Sequence, residues 1–394
     1  PADLPGPGAP LDQAECRGRV VDTRQASTAS PETRRIPHPT RQGDIMIDPR
    51  IHDESWLQRR HIERDGVRLH YVTAEPEPSG EGAGPIGTIV LVHGFPHFWF
   101  TWHRMIPLLV DAGWRVIAPD LRGMGGSDAP ADVEAYTPRE VVDDLFAVID
   151  DVSPRGGAAE KVVLVGFDFG AGVVYDACHL EPDRVRAVIG MENPFMGTAG
   201  SVPPLEGSAM IAEKHFLHLH YFAQPGVAEV DLKGHERDFL ARVFWALSAD
   251  FHYLDVWQHP PGTRYLDALP EAPQLPWRWL SAEELDVYEK EYTRTGFAGP
   301  LQWYRAMDVS WRARKEFERQ TNPVPYYFVY SEHDPDLEGF HGREPLKKLD
   351  RHHDDVRQVR SVPRAGHLMH LEATEDTHRE ILACLADITA TIPE

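Results

Sequence analysis

The sequence predicts an α/β protein built on a mostly parallel sheet flanked by helices, with a helical segment inserted into it. Three observations carry this expectation. Short apolar runs rich in β-branched residues, such as "TIVLV" and "VVLVGF", recur along the chain and have the composition of buried parallel strands. Stretches with helical apolar spacing, such as "PREVVDDLFAVIDDV", lie between them. The alternation is interrupted across residues 199–318 by a long, aromatic-rich helical stretch and then resumes.

Taken in order, residues 1–50 are rich in Pro, Gly, Ser, Thr and charge and read as an extended arm. Residues 51–198 hold the first part of the sheet. "VRLHYVTAE" alternates as a strand does, "GTIVLVHGF" is a buried strand ending in a turn, and "WRVIAPDLRG" is another. "PREVVDDLFAVIDDV" is the helix that leads to "KVVLVGFDFG", and "VRAVIGMENPF" is a further strand. In the inserted stretch, "DFLARVFWALSADFHYLDVW" and "SAEELDVYEKEYTRTGF" read as long helices. Residues 319–394 return to strands in "PYYFVYSEHD" and "VRQVRSVPRAGH" and close on the helix "DTHREILACLADI". In sheets of this kind the site forms at the carboxyl ends of the strands.

Composition bounds the function. The 394 residues, 42% hydrophobic, suffice for one large core or two domains. The formal net charge of −22 is spread along the chain and disfavours nucleic acid or an anionic membrane as partner. No apolar run reaches the roughly 18 residues of a membrane span. The segment from Pro1 lacks the basic-then-apolar pattern of an export signal, which favours a soluble cytoplasmic protein and leaves secretion after signal removal open. Cys16, Cys178 and Cys384 form neither a disulfide framework nor a C-x-x-C metal spacing. "GMGGSD" fits no phosphate-loop spacing, and His215, His218 and His220 lack a convincing ligand set. No cofactor and no metal are expected, and the sequence leaves monomer and homo-oligomer equally open.

The chemistry centres on residues 166–170, Gly-Phe-Asp-Phe-Gly, between a strand and a helix. This is the G-x-S-x-G shape of a nucleophile elbow with Asp168 in place of serine. Further motifs stand in order around it: His93-Gly94-Phe95-Pro96, "APDLRGMGGSD", "YFAQPGVAE", "TGFAGPLQWYRAMD", "YSEHDPDL" and "AGHLMHLE". With these motifs the chain resembles the α/β-hydrolase superfamily and, within it, the epoxide hydrolases, across about residues 60–394. The resemblance implies an α/β-hydrolase core with a helical cap inserted at 199–318.

A carboxylate suits the chemistry so implied. It attacks saturated carbon, and the alkyl ester that results can be cleaved by water at the carboxylate's own carbonyl carbon. The resemblance makes Asp168 the nucleophile and His367 the general base, a role for which imidazole is matched near neutral pH. His370, three residues on, reads as structural. Two acids compete to orient His367: Asp334, in the common hydrolase register, which is slightly favoured, and Glu192, where a Cif-like subgroup keeps its acid. The backbone N–H groups of Phe95 and Phe169 are the expected oxyanion hole, and Phe95-Pro96 is expected cis. Tyr304 and His218 stand where the family places donors for the epoxide oxygen, a His/Tyr pair resembling the Cif-like subgroup. His93, Pro96, Tyr221, Phe222 and Trp303 are the expected pocket residues. The implied partners are a small apolar epoxide and water. The nearest rival is a haloalkane or haloacid dehalogenase, which shares the Asp nucleophile. That reading is weakened by Phe169 and Leu219, where such enzymes carry halide or carboxylate donors. A catalytically idle binding protein on the same fold is the remaining alternative.

Overall fold

A computed structural model of the chain describes residues 47–78, 84–153, 161–195, 197, 200–341 and 346–391. Nearly all of the expected arm at 1–50 therefore lies outside the described residues. Among the described residues eight strands form one sheet: β1 (Leu57–Arg64), β2 (Val67–Ala74), β3 (Thr88–Val92), β4 (Arg115–Pro119), β5 (Val162–Phe167), β6 (Val185–Met191), β7 (Tyr326–Ser331) and β8 (Val356–Val362). Their spatial order is β1-β2-β4-β3-β5-β6-β7-β8. β1 and β2 pair antiparallel, as do β2 and β4, and every later pairing is parallel. β3 and β5, the central strands, are buried along their whole length. Their uninterrupted apolar runs are what a strand covered on both faces requires.

The helices α1 (Met105–Asp111), α2 (Pro138–Val152) and α3 (Phe169–Leu180) belong to the first half of the sheet. α2 has the bounds that its periodicity predicts. Thr137 caps it by accepting from the Glu140 N–H, and Pro138 sits at the first helical position. Between β6 and β7 the described residues hold eight α-helices: α4 (Pro204–Ala212), α5 (His218–Ala223), α6 (Val227–Leu232), α7 (Glu236–Leu247), α8 (Tyr265–Ala268), α9 (Ala282–Thr295), α10 (Ala298–Arg305) and α11 (Met307–Arg314). α12 (Pro335–Gly339) follows β7, and α13 (Met369–Glu372) and α14 (Thr374–Ala390) follow β8.

Two elements differ from the sequence expectation. β1 is an additional edge strand whose polar text, "LQRRHIER", hides it from any search for apolar runs. The helix expected across residues 238–257 stops at Leu247, and the rest forms a bend and a 3-10 turn at Tyr253–Gln258. The stop has a tertiary cause. The Leu247 carbonyl accepts from the His367 backbone N–H at 2.9 Å instead of continuing the helix.

Candidate active site

β5 delivers Asp168 at its carboxyl end and α3 begins at the next residue. Asp168 has φ 53° and ψ −128°. A non-glycine residue in that region is strained, and such strain is held where a site uses it. Close packing holds this turn. A Cβ on Gly170 would lie 2.2 Å from the Val92 carbonyl oxygen, so only glycine lets α3 start against the end of β3. A Cβ on Gly94 would lie 1.9 Å from Asp168 Oδ1. The loop after β3 can thus press its backbone onto the carboxylate, and the Phe95 N–H donates to Asp168 Oδ1 at 2.7 Å. Phe95-Pro96 is cis, as expected.

The other carboxylate oxygen, Oδ2, lies 3.8 Å from His367 Nε2. His367 sits in the loop after β8. Its Nδ1 lies 2.7 Å from Asp334 Oδ2, while Asp334 Oδ1 accepts from the Leu337 N–H at 2.8 Å and caps α12. Of the two candidate acids, then, Asp334 meets the imidazole. Glu192 is fully buried and turns to Ser331, whose N–H and Oγ donate to its Oε2 at 3.4 Å. Burial, reinforced by the Asp334 charge, raises its carboxyl well above the usual carboxylate range and keeps it protonated. Burial opposes charge on His367, but the Asp334 charge, the hydrogen bond to Asp334 and the nearby Asp168 carboxylate prevail and raise its pKa well above the usual value. The loop that carries His367 is itself pinned. Glu372 accepts from the Gly366 N–H at 3.0 Å and from the Ala249 N–H at 2.9 Å, which ties the base to the end of α7. His370 is structural, its Nε2 bonded to Thr101 Oγ1 at 2.6 Å among Trp102 and Phe167.

The opposite wall comes from the helices between β6 and β7. Tyr304, on α10, is buried against Phe95, Phe169 and Phe222. Burial, with the Asp168 charge adding, raises its hydroxyl pKa well above the usual tyrosine value, so the O–H stays protonated. His218, the first residue of α5, receives the Trp257 indole N–H on Nδ1 at 3.1 Å. With Nδ1 accepting, the neutral ring carries its proton on Nε2. Burial pushes the pKa of His218 down to about 4, against the opposing pull of Asp168, so the ring is neutral near pH 7. The ring of Phe222 packs against both His218 and Tyr304.

Three expected pocket residues are occupied otherwise. His93 is fully enclosed: its Nε2 accepts from the Leu121 N–H at 3.1 Å and its Nδ1 faces the Gly94 carbonyl at 2.9 Å. It braces two loops and does not line the pocket. Tyr221 directs its hydroxyl to Asp231 at 2.8 Å, so only its ring packs beside Phe222. Trp303 lies against Phe169, but its indole N–H is taken by the Arg122 carbonyl at 2.9 Å. Pro96 is buried in the loop after β3, and Phe169 opens α3 directly after Asp168.

Two side chains that the motifs do not signal also reach the site. Trp257 is one, 39 residues from the histidine that it orients. Asp336 is the other. Among the described residues, Asp168, Asp336 and His367 are the one grouping of three ligand-type side chains whose atoms all lie within 4.8 Å of one another. The text "DPD" was its only trace, with Pro335 starting the turn that swings Asp336 round beside Asp334.

Comparison with known proteins agrees with this geometry. A family model described as the alpha/beta hydrolase fold matches residues 87–218. Epoxide hydrolase A of Mycobacterium tuberculosis is 38% identical over 284 residues, 71% of this chain and 83% of that protein. Epoxide hydrolase B of the same organism is 30% identical over 359 residues, 82% of this chain and 96% of that protein. The crystal structure of epoxide hydrolase A from Mycobacterium thermoresistibile superposes with a TM-score of 0.74 at 35% identity, covering 86% of this chain and 99% of that one. With an aspartate at the elbow, a His–Asp pair behind it and relatives of this similarity, the chain belongs to the epoxide hydrolase family of the α/β-hydrolase fold.

Proposed function

We propose that this epoxide hydrolase opens small apolar epoxides through an ester on Asp168, with the roles divided as follows. Asp168 Oδ2 attacks one ring carbon. A carbon–oxygen bond forms, the ring bond breaks, and alkoxide charge develops on the epoxide oxygen. Tyr304 gives that oxygen its proton, and His218 donates a hydrogen bond from Nε2. Preorganised donors in a dry pocket are worth most where charge develops. The aromatic rings of Phe95, Phe169 and Phe222 favour an apolar substituent.

In the second half-reaction water adds to Cγ of Asp168. His367 takes one water proton, and the oxyanion on Oδ1 meets the N–H groups of Phe95 and Phe169. Collapse expels the diol oxygen, which takes the proton from His367. The proton left on the added hydroxyl restores Tyr304 through solvent. Esterification removes the Asp168 charge that helps to raise the pKa of His367, so alkylation itself moves the imidazole towards its neutral, basic form.

The observation that carries this reading is the carboxylate of Asp168, one oxygen gripped by the Phe95 N–H and the other left facing His367. A dehalogenase reading has less support, because the indole N–H groups of Trp257 and Trp303 are committed to His218 and Arg122. A single turnover in heavy-oxygen water is expected to leave label in the Asp168 carboxylate. Label found only in the diol would refute the ester.

A further inference from the structure

Asp336 has no role in the scheme above, yet its carboxyl faces both reacting groups. It is the second residue of α12, two residues from the Asp334 that orients His367. Its oxygen, Nε2 or Nδ1 of His367 and a carboxylate oxygen of Asp168 all lie within 4.8 Å of one another. His367 Nε2 and Asp168 Oδ2 are 3.8 Å apart, beyond a direct hydrogen bond and open to a bridging water. A water lying over a triangle whose sides are at most 4.8 Å can reach all three corners at about 2.8 Å, the ordinary hydrogen-bond length.

We propose that Asp336 holds the hydrolytic water, fixing it between His367 and Cγ of the esterified Asp168. The proposal rests on the ester chemistry assigned to Asp168. A water that gives one proton to His367 has a second O–H to satisfy. In a pocket walled by Phe95, Phe169 and Phe222 it has few acceptors, and Asp336 supplies one. Asp336 transfers no proton in this step. It accepts the second O–H of the water while the first goes to His367, and so fixes the direction of the attacking lone pair.

Charged and titratable groups face Asp336 from several elements. Asp334 lies on the same turn, Asp168 and His367 face it from the elbow and from the loop after β8, and Tyr304 and Tyr253 face it from the cap side. In the free enzyme burial pushes its carboxyl up to about 7, with His367 opposing and Asp334 and Asp168 adding. Esterification removes the Asp168 charge and lets His367 go neutral, two changes that act on Asp336 in opposite directions, and in either protonation state its carboxyl keeps an oxygen that accepts from the water. A metal ion suits the group less well. One Asp168 oxygen is taken by the Phe95 N–H, His367 is bound to Asp334, and Asp336 is only partly ionised near neutrality.

Rapid-quench mass spectrometry of the whole protein, with a small aryl or alkyl epoxide, separates the two half-reactions. The wild type, Asp336→Asn, Asp336→Leu and His367→Gln are compared, with melting temperatures measured in parallel. Asp336→Leu is expected to form the alkyl-enzyme at close to the wild-type rate and to hydrolyse it about ten- to hundredfold more slowly, the loss typical of one hydrogen bond to a charged group. Asp336→Asn keeps an acceptor oxygen and is expected to recover part of that loss, and it decides alone if the Leu variant does not fold. Unchanged hydrolysis in the folded variants, or slowed alkylation with normal hydrolysis, would overturn the proposal. Absence of any adduct in the wild type and in His367→Gln would instead overturn the ester reading on which it rests.

Discussion

At the scale of single residues, the site is decided by which carboxylate reaches which nitrogen. Asp334 and Glu192 both follow strands of the sheet, and both are buried. Only Asp334 lies at hydrogen-bond distance from His367 Nδ1. Glu192 is held protonated beside it, mainly by burial. The two should therefore respond differently to removal of their charge. Asp334→Asn is expected to reduce kcat by more than about a hundredfold, since an amide in that place disturbs both the tautomer and the stabilisation of the imidazolium. Glu192→Gln replaces an already neutral group and is expected to cost less than about tenfold. Steady-state kinetics on one epoxide compares them, and a larger loss in Glu192→Gln would transfer the orienting role. The same scale explains what the sequence could not show. His218 has the same letters around it whether or not an indole reaches its Nδ1. The Trp257 contact that sets its tautomer comes from 39 residues away.

At the scale of elements, the loop after β3 and the turn from β5 to α3 act as one unit. Their contact explains why glycine stands at 94 and at 170. The loop carries the Phe95 N–H to the carboxylate only because Gly94 has no side chain to meet it. Gly94→Ala is expected to keep the fold, because the loop can shift outward, and to lower kcat roughly a hundredfold, the effect of a displacement of about 1 Å at a reacting group. Circular dichroism with single-turnover rates of alkylation and of ester hydrolysis checks both parts. A folded variant with wild-type rates in both half-reactions would show that this donor is dispensable. Element boundaries show the same dependence on context. The apolar spacing of residues 238–257 is truly helical up to Leu247. Beyond it the backbone is drawn off by His367 and Glu372 on the far side of the chain, a competition that no local pattern records.

At the scale of the whole molecule, the helices between β6 and β7 are held to the sheet side by buried polar clamps. Glu284, on α9, lies against His103 and Arg104 next to α1, with its Oε1 2.8 Å from His103 Nε2 and 3.0 Å from Arg104 Nε. Burial opposes its charge, but these bonds lower its carboxyl pKa to about 2. Burial also pushes the pKa of His103 down, so Arg104 is the firmer cation of the pair. Because the folded-state pKa of Glu284 is depressed, its contribution is present above the unfolded value of 4.5 and fades as pH falls towards 2. Glu284→Gln is expected to lose about 3 kcal/mol at pH 7 and much less at pH 3, read from urea unfolding at both pH values. Equal losses at the two pH values would remove the charge from the explanation. This clamp was not legible beforehand, and neither was the water-holding place of Asp336. What the sequence carried by itself was the alternation of core strands β2 to β8 with helices, the elbow with its aspartate, and the histidine of the last loop. Each of these is written in a local run: apolar periodicity, a tight glycine turn, or a short motif in a fixed order. Only the tertiary structure placed Asp334 rather than Glu192 against His367 Nδ1, set the Trp257 contact on His218, committed the polar atoms of Tyr221 and His93 to other partners and brought Asp336 near the elbow. Those outcomes depend on distances of a few ångströms between side chains far apart in the chain, and burial, charge and hydrogen bonding act on those distances rather than on the letters.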